Sequence, residues 1–242
     1  MSNKLFSMLE LSSKGFPHNE FYAIDLSGVM PNEMESFLRD GLRNFRSKVN
    51  CKSLTVRTGV ASNPEVKLYL ATDLDASKDE LVIDKMKEAL TFLSKRFNGY
   101  SNGFIILQKW TLEDEYLYSL NLMPLNNEFI VEAVKGNHFL LDRSEQEITT
   151  MKISTNGVEI IKQGLNPDDI ILLNRHLTKL INKHSFENNC VYEFSFLKDN
   201  TSFYQVKKPG KLYKEVLTKK EFYEKLRENK IPYNGKILRK NN

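Results

Sequence analysis

The stretch CVYEFSFLKDNTSFYQVKKPGK, residues 190–211, reads as two strands folded back on a polar turn. In the first strand Tyr192, Phe194 and Phe196 alternate with Val191, Glu193 and Ser195, so one face is apolar and the other carries a carboxylate at its centre. Lys198-Asp199-Asn200 supplies turn residues, and the return strand over 202–206 brings Gln205 beside Lys207 and Lys208. If the register pairs the polar faces, a carboxylate, an amide and one or two ammonium groups share a surface, which is the chemistry a metal-bound polyphosphate requires. The same alternation also describes an amphipathic hairpin with one solvated face.

Working outward from the hairpin, Asn166 followed by Pro167 opens a helix with Ile170, Leu173, Leu177 and Ile181 on its buried side. Before it the texture is one of consecutive strands, expected at 103–109, 115–122, 128–134, 139–142 and 147–153. Hairpin turns are expected at Pro124-Leu125-Asn126-Asn127 and at Lys135-Gly136-Asn137, so this sheet is expected to be mainly antiparallel. Nearer the N-terminus the periodicity predicts a helix from Lys4 to Leu11 and a strand over 21–26. An amphipathic helix over 31–48 comes next, with Gly41 weakening its middle. Strands are expected at 53–57 and 66–71, joined by a tight connection at Asn63-Pro64. Ser77 with Glu80 has the spacing of a capping box, and the helix it starts runs to Phe97 with Leu81, Met86, Leu90 and Leu93 inward, closed by Asn98-Gly99. A boundary between two lobes falls near Tyr100. After the hairpin, Thr218 and Glu221 form a second capping box ahead of a basic helix to about Asn229.

The 242 residues suffice for one large domain or two lobes, and 40% apolar with 27% charged residues is ordinary globular composition. There is no apolar run of membrane-spanning length and the N-terminal residues lack the pattern of a signal peptide, so a soluble, cytoplasmic protein without membrane contact is expected. Cys51 and Cys190 are too few for a disulfide framework and read as buried free thiols. The short phosphate-loop, dinucleotide, serine-hydrolase and zinc-protease motifs are absent. His18, His138, His176 and His184 are scattered and read as surface or cap residues. From Lys207 onward twelve Lys and Arg face four Glu, leaving 23 basic and 27 acidic residues before it. This basic tail is either a solvated helix with a frayed end or a contact for a polyanion, and the residues beyond Ile231-Pro232 have little apolar content to hold them.

Several short segments occur in a suggestive order. They are Lys4 with Met8 and Leu11, Gly15-Phe16-Pro17 before Phe21-Tyr22-Ala23-Ile24, and Val56-Arg57-Thr58-Gly59. Ile106-Leu107-Gln108-Lys109-Trp110 and Val131-Glu132-Ala133-Val134-Lys135-Gly136 come next, and Tyr192-Glu193-Phe194 with Tyr204-Gln205-Val206-Lys207 closes the series. Together they resemble the ATP-grasp domain of the PEP/pyruvate-binding type, which begins pyruvate phosphate dikinase and phosphoenolpyruvate synthase. The resemblance implies an α+β, two-lobed ATP-grasp-like fold with mainly antiparallel sheets and flanking helices. The division expected is 1–100 for the N-terminal lobe, 101–215 for the C-terminal lobe and 216–242 for a basic helix and tail. It implies ATP and Mg²⁺ as cofactors, with Lys4 and Arg57 on the phosphates and Gln108, Lys109 and Trp110 at the base. Glu132 and Glu193 would hold the metal, with Gln205 and Lys207 beside it, and no catalytic residue is assigned. The activity implied is an ATP-dependent phosphotransferase or ligase acting on a substrate or protein partner in trans. The alternative is a degenerate, non-catalytic binding or interaction module.

This chain departs from the family's pattern in ways that favour the alternative. The glycine-rich loop after the arginine strand is missing, since Val66 arrives within nine residues of Arg57. Val191 stands where the pattern has an acid, and Lys207 where it has an arginine, a point charge in place of a bidentate fork.

Overall fold

Two sheets carry the structure, a computed structural model that describes residues 4–61, 68–138, 140–141, 148–208 and 218–240. The first is built from β1 (Phe21–Asp25), β2 (Ser53–Val60), β3 (Leu70–Asp75), β4 (Gly103–Lys109) and β11 (Ile237–Leu238). Its order is β11-β1-β4-β2-β3, antiparallel except where β11 runs parallel to β1. The second is built from β5 (Tyr116–Leu125), β6 (Glu128–Lys135), β7 (Thr149–Ser154), β8 (Gly157–Lys162), β9 (Val191–Leu197) and β10 (Thr201–Lys207). Its order is β10-β9-β5-β6-β7-β8, antiparallel throughout. The helices are α1 (Lys4–Ser13), α2 (Met34–Lys48), α3 (Asp79–Phe97), α4 (Pro167–Lys183) and α5 (Lys219–Glu228). The fold class is therefore α+β, with two mainly antiparallel sheets.

The strands β1 and β4 of the first sheet are buried on both faces, which is why they read as nearly continuous apolar runs. Tyr22, Ile24, Leu54, Val56, Ile105 and Leu107 pack under α2 and α3 with Leu38, Phe45, Met86 and Leu93. Phe21, Ala23, Phe104 and Ile106 point the other way, to Leu5, Met8 and Leu9 of α1 and Phe222 and Leu226 of α5. The second sheet is apolar on one face only. Tyr118, Leu120, Val131, Tyr192 and Phe194 meet Leu173 and Leu177 of α4, and the alternate residues Asn121, Glu132, Glu193 and Gln205 form a polar face. Contacts of α1 and the segment after it with β10 help to join the sheets. Ser7 Oγ in α1 donates to the Val206 carbonyl at 3.2 Å and accepts from its N–H at 2.6 Å, and the Phe203 N–H donates to the Pro17 carbonyl at 2.8 Å.

The structure departs from the sequence expectations at identifiable points. Strand β4 lies at the centre of the first sheet, so the step between sheets comes after Lys109 and not near Tyr100. Ser77 does not cap α3. Its Oγ and N–H both donate to Asp75 Oδ1, at 2.6 and 2.9 Å, in a local turn that competes with capping, and Lys78 takes the cap position. Leu81 is consequently exposed, and Val82, Ile83, Met86, Ala89 and Leu93 form the buried stripe. No strand covers Leu140 and Leu141. They sit in a helical turn after Gly136, their N–H groups donating to the carbonyls of Asn137 and His138. Strand β3 begins at Leu70, later than expected, and β8 was not expected because all six of its residues are exposed and carry no period. Asn63-Pro64, Val66, Phe139, Asp142 and Glu147 lie outside the described residues.

The basic tail is also tied down more firmly than its composition suggests. Ile237 and Leu238 pair with Ala23 and Ile24 as β11, correcting the expectation that nothing holds the residues after Pro232. Lys219 forms a buried ion pair with Asp25 and lies 3.7 Å from the centre of the Phe104 ring, so it is not in water as the helix pattern implied. Lys236 stacks on Phe21, Arg239 on Tyr223, and Lys240 pairs with Glu33 at 2.5 Å.

Candidate functional site

A cleft of about 320 Å³ opens between the polar face of the second sheet and the α1 side of the first. Residues 55, 57 and 59 of β2 face away from α2 and α3, so Thr55 and Arg57 form part of its floor beside Gln108, which pairs with Thr55 across β4. Lys4 reaches in from the start of α1, and Lys109 and Trp110 from the end of β4. On the opposite wall the register pairs Gln205 with Glu193, so the polar faces of the hairpin do coincide, and Glu193 is ion-paired with Lys207. The ladder slips between Phe203 and Gln205, and this bulge lets Tyr204 line the cleft next to Gln205.

Lys4, Arg57, Gln108, Lys109, Trp110, Glu193, Gln205 and Lys207 thus share one cleft, drawn from α1, both sheets and the segment between them. Glu132 does not join them. It is exposed and pairs with Asn121, which in turn pairs with Glu193. Glu132 is therefore on the same face but two strands away, roughly 10 Å at the usual strand spacing. Asn121 Nδ2 donates to Glu132 Oε2 at 3.3 Å, filling the gap with an amide rather than a cation.

Arg57 is the distinctive group. Although part of the residue is reachable from the cleft, protein surrounds the guanidinium, and burial alone draws its pKa down to about 10. Its Nε has no hydrogen-bond partner among the described residues, and neither has Thr55 Oγ1 two residues before it. Arg57 makes no ion pair among the described residues. A buried cation with nothing opposite it is costly unless a ligand supplies the opposite charge. Lys4, Lys109 and Lys207 add three ammonium groups to the same space, against Glu193 as the carboxylate among the described lining residues.

The sequence reading missed His138, Tyr204 and Tyr116. His138 Nε2 lies 3.7 Å from Glu193 Oε2, and its ring meets that of Tyr204 edge-on at 5.6 Å, so it is a cleft residue and not a cap. Nothing local marks it, because it comes after Gly136 in a turn without periodicity. Tyr204 was visible as an apolar-phase residue of the hairpin, and only the bulge turns it inward.

No family model and no curated protein matches the chain. Solved structures do match it. ATP citrate lyase from Methanothrix soehngenii, in complex with citrate and coenzyme A, aligns with a TM-score of 0.44 and 12% identity, over 94% of this chain and 58% of that one. D-alanyl-alanine synthetase A from Vibrio cholerae aligns at 0.39 and 10%, over 95% and 65%. D-alanine--D-alanine ligase from Bacillus anthracis, complexed with ATP, aligns at 0.38 and 10%, over 96% and 63%. The chain spans less than two thirds of each of these proteins, and all three scores lie below 0.5, so any functional reading rests on the cleft's own residues. Among the described residues no helix is long and apolar enough to cross a membrane.

Proposed function

We propose that the cleft is a nucleotide site of the ATP-grasp kind, holding the phosphates of ATP on Arg57 and Lys4 and the base against Gln108, Lys109 and Trp110. The observation that carries this is Arg57, a buried cation whose Nε is unsatisfied and whose charge has no ion-pair partner among the described residues. Thr55 Oγ1, also without a partner among the described residues, belongs to a residue lining the same cleft and offers a further donor. Trp110 and Tyr116 give the remainder of the cleft aromatic surface suited to a planar ring. On the sequence resemblance the finer reading is the PEP/pyruvate-binding type, with transfer of a phosphoryl group to a substrate or protein partner in trans. A binding module without transfer is the second reading, favoured by Glu193 being engaged by Lys207 and faced by His138. Contact of the basic tail with a polyanion is retained only as a subordinate proposal, since Lys219, Lys236, Arg239 and Lys240 already have internal partners.

The test is thermal unfolding in the presence of ATP, other nucleotides and inorganic tripolyphosphate. A ligand at a hundred times its dissociation constant stabilises by about 2.7 kcal/mol, a clear rise in midpoint. ATP should raise it and Arg57→Met should erase that rise. No stabilisation of the wild type at millimolar ATP sinks the nucleotide reading.

A further inference from the structure

The carboxylates of this face do not fit a divalent ion. Mg²⁺ requires near-octahedral oxygen ligation, typically one or two carboxylates together with the phosphates it neutralises. Among the described residues no group of three or more His, Cys, Asp or Glu is arranged to hold a metal. Glu193, the carboxylate among the described residues lining the cleft, has Oε1 ion-paired with Lys207 Nζ and Oε2 facing His138 Nε2 at 3.7 Å. Its side chain is only 7% exposed, so little of it is left for a third partner. Glu132 stands two strands off with its oxygen on Asn121.

The cations point the same way. Lys207 keeps 44% of its side chain exposed and lines the cleft, so its ammonium can bridge Glu193 to an oxygen arriving from solvent. An ammonium brings three donors and one positive charge to a spot where a metal would bring ligation sites and two. With Lys4, Arg57 and Lys109 also lining the cleft, a divalent ion would add charge where the described lining residues include four cationic side chains and one carboxylate. It would also have to displace Lys207 from Glu193.

We infer that the cleft takes its polyphosphate free of divalent metal, with Lys207 held by Glu193 in the place a metal would occupy. This rests on the nucleotide reading above and narrows it to the metal-free, fully charged form of the ligand. The experiment is equilibrium binding of ATP and of tripolyphosphate to the full chain, in EDTA and in excess Mg²⁺. The inference expects affinity in EDTA equal to or greater than in Mg²⁺, because the ion competes for the phosphate oxygens that Lys207 and Arg57 would take.

A tenfold or larger loss of affinity in EDTA overturns the inference and leaves the nucleotide reading standing. Absence of binding in both media overturns the nucleotide reading, and the inference with it. Lys207→Gln supplies the second arm: glutamine keeps a donor for the buried Glu193, and the melting midpoint checks that the variant remains folded. In EDTA this variant should bind at least tenfold more weakly, and Mg²⁺ should restore part of the loss by using the uncovered Glu193. Unchanged binding of the variant in EDTA overturns the role given to Lys207.

Discussion

At Arg57, methionine keeps much of the reach of the side chain and removes the charge that burial disfavours. Arg57→Met should therefore lose nucleotide binding yet raise stability by about 0.5–2 kcal/mol, the trade expected where a strained binding group is replaced. Chemical denaturation with and without ATP measures both effects, and a destabilised variant would show that Arg57 has a structural partner. Asp25 gives the opposite case. Burial pushes its carboxyl up, but Lys219, with hydrogen bonds from Ser27 and Tyr223, pulls it further down, to below the usual 3.8. A folded pKa below the unfolded one means the unfolded chain takes up the proton first. The stability contributed by Asp25 is thus complete at neutral pH and is lost as pH falls below about 4. Lys219→Met, which leaves Asp25 buried without its cation, should cost about 3–5 kcal/mol at pH 7. That deficit should shrink at pH 3, and a pH-independent deficit would locate the loss in packing against Phe104 instead. None of this was legible in the sequence, because a buried charge pair 194 residues apart leaves no periodic trace. The Glu193 side of the cleft was legible, since a polar residue in the polar phase of a strand declares its face.

Among the elements, α2 shows how composition can mislead. Gly41 reads as a weak point worth up to about 1 kcal/mol of helix propensity. In the fold a Cβ there would collide with Ile24 Cδ1 and come within 2.7 Å of Cγ1, so the glycine sets how closely α2 approaches β1. Gly41→Ala should gain propensity yet lose more to overpacking against a fully buried, β-branched neighbour, lowering stability by about 1 kcal/mol or more. A raised melting midpoint would refute this. The capping box of α5 is present as read, with Thr218 accepting from the Glu221 N–H and Glu221 accepting from the Thr218 N–H. Thr218→Ala should cost about 1 kcal/mol and loosen the helix that carries Lys219. Strong local signals of this kind survive into the structure. The false box at Ser77 fails because Asp75, two residues earlier, offers a nearer acceptor, a competition that spacing alone does not rank.

Across the whole molecule, the first sheet joins distant parts of the chain, because its edge strand β11 comes from residues 237–238 and pairs with residues 23–24. Removing 234–242 should therefore destabilise the protein and leave the β1 edge open to other strands, the reverse of what tail composition suggests. Size-exclusion chromatography and melting of the truncated chain decide this, and unchanged behaviour would mean that β11 contributes nothing. Long-range closure of this sort is invisible to pattern reading, which sees Ile237-Leu238 as two apolar residues in a basic end. It also has a consequence during synthesis. As the chain leaves the ribosome in order, β1 emerges near the beginning yet waits for more than two hundred residues before its outer neighbour exists. The hairpin wall, made from 191–207, has by then been translated, and the Ser7–Val206 contact can seat α1 on it first. The nascent chain should thus form its Glu193 wall before the β1 edge of the other sheet is covered, leaving a window in which chaperones would find an exposed strand edge.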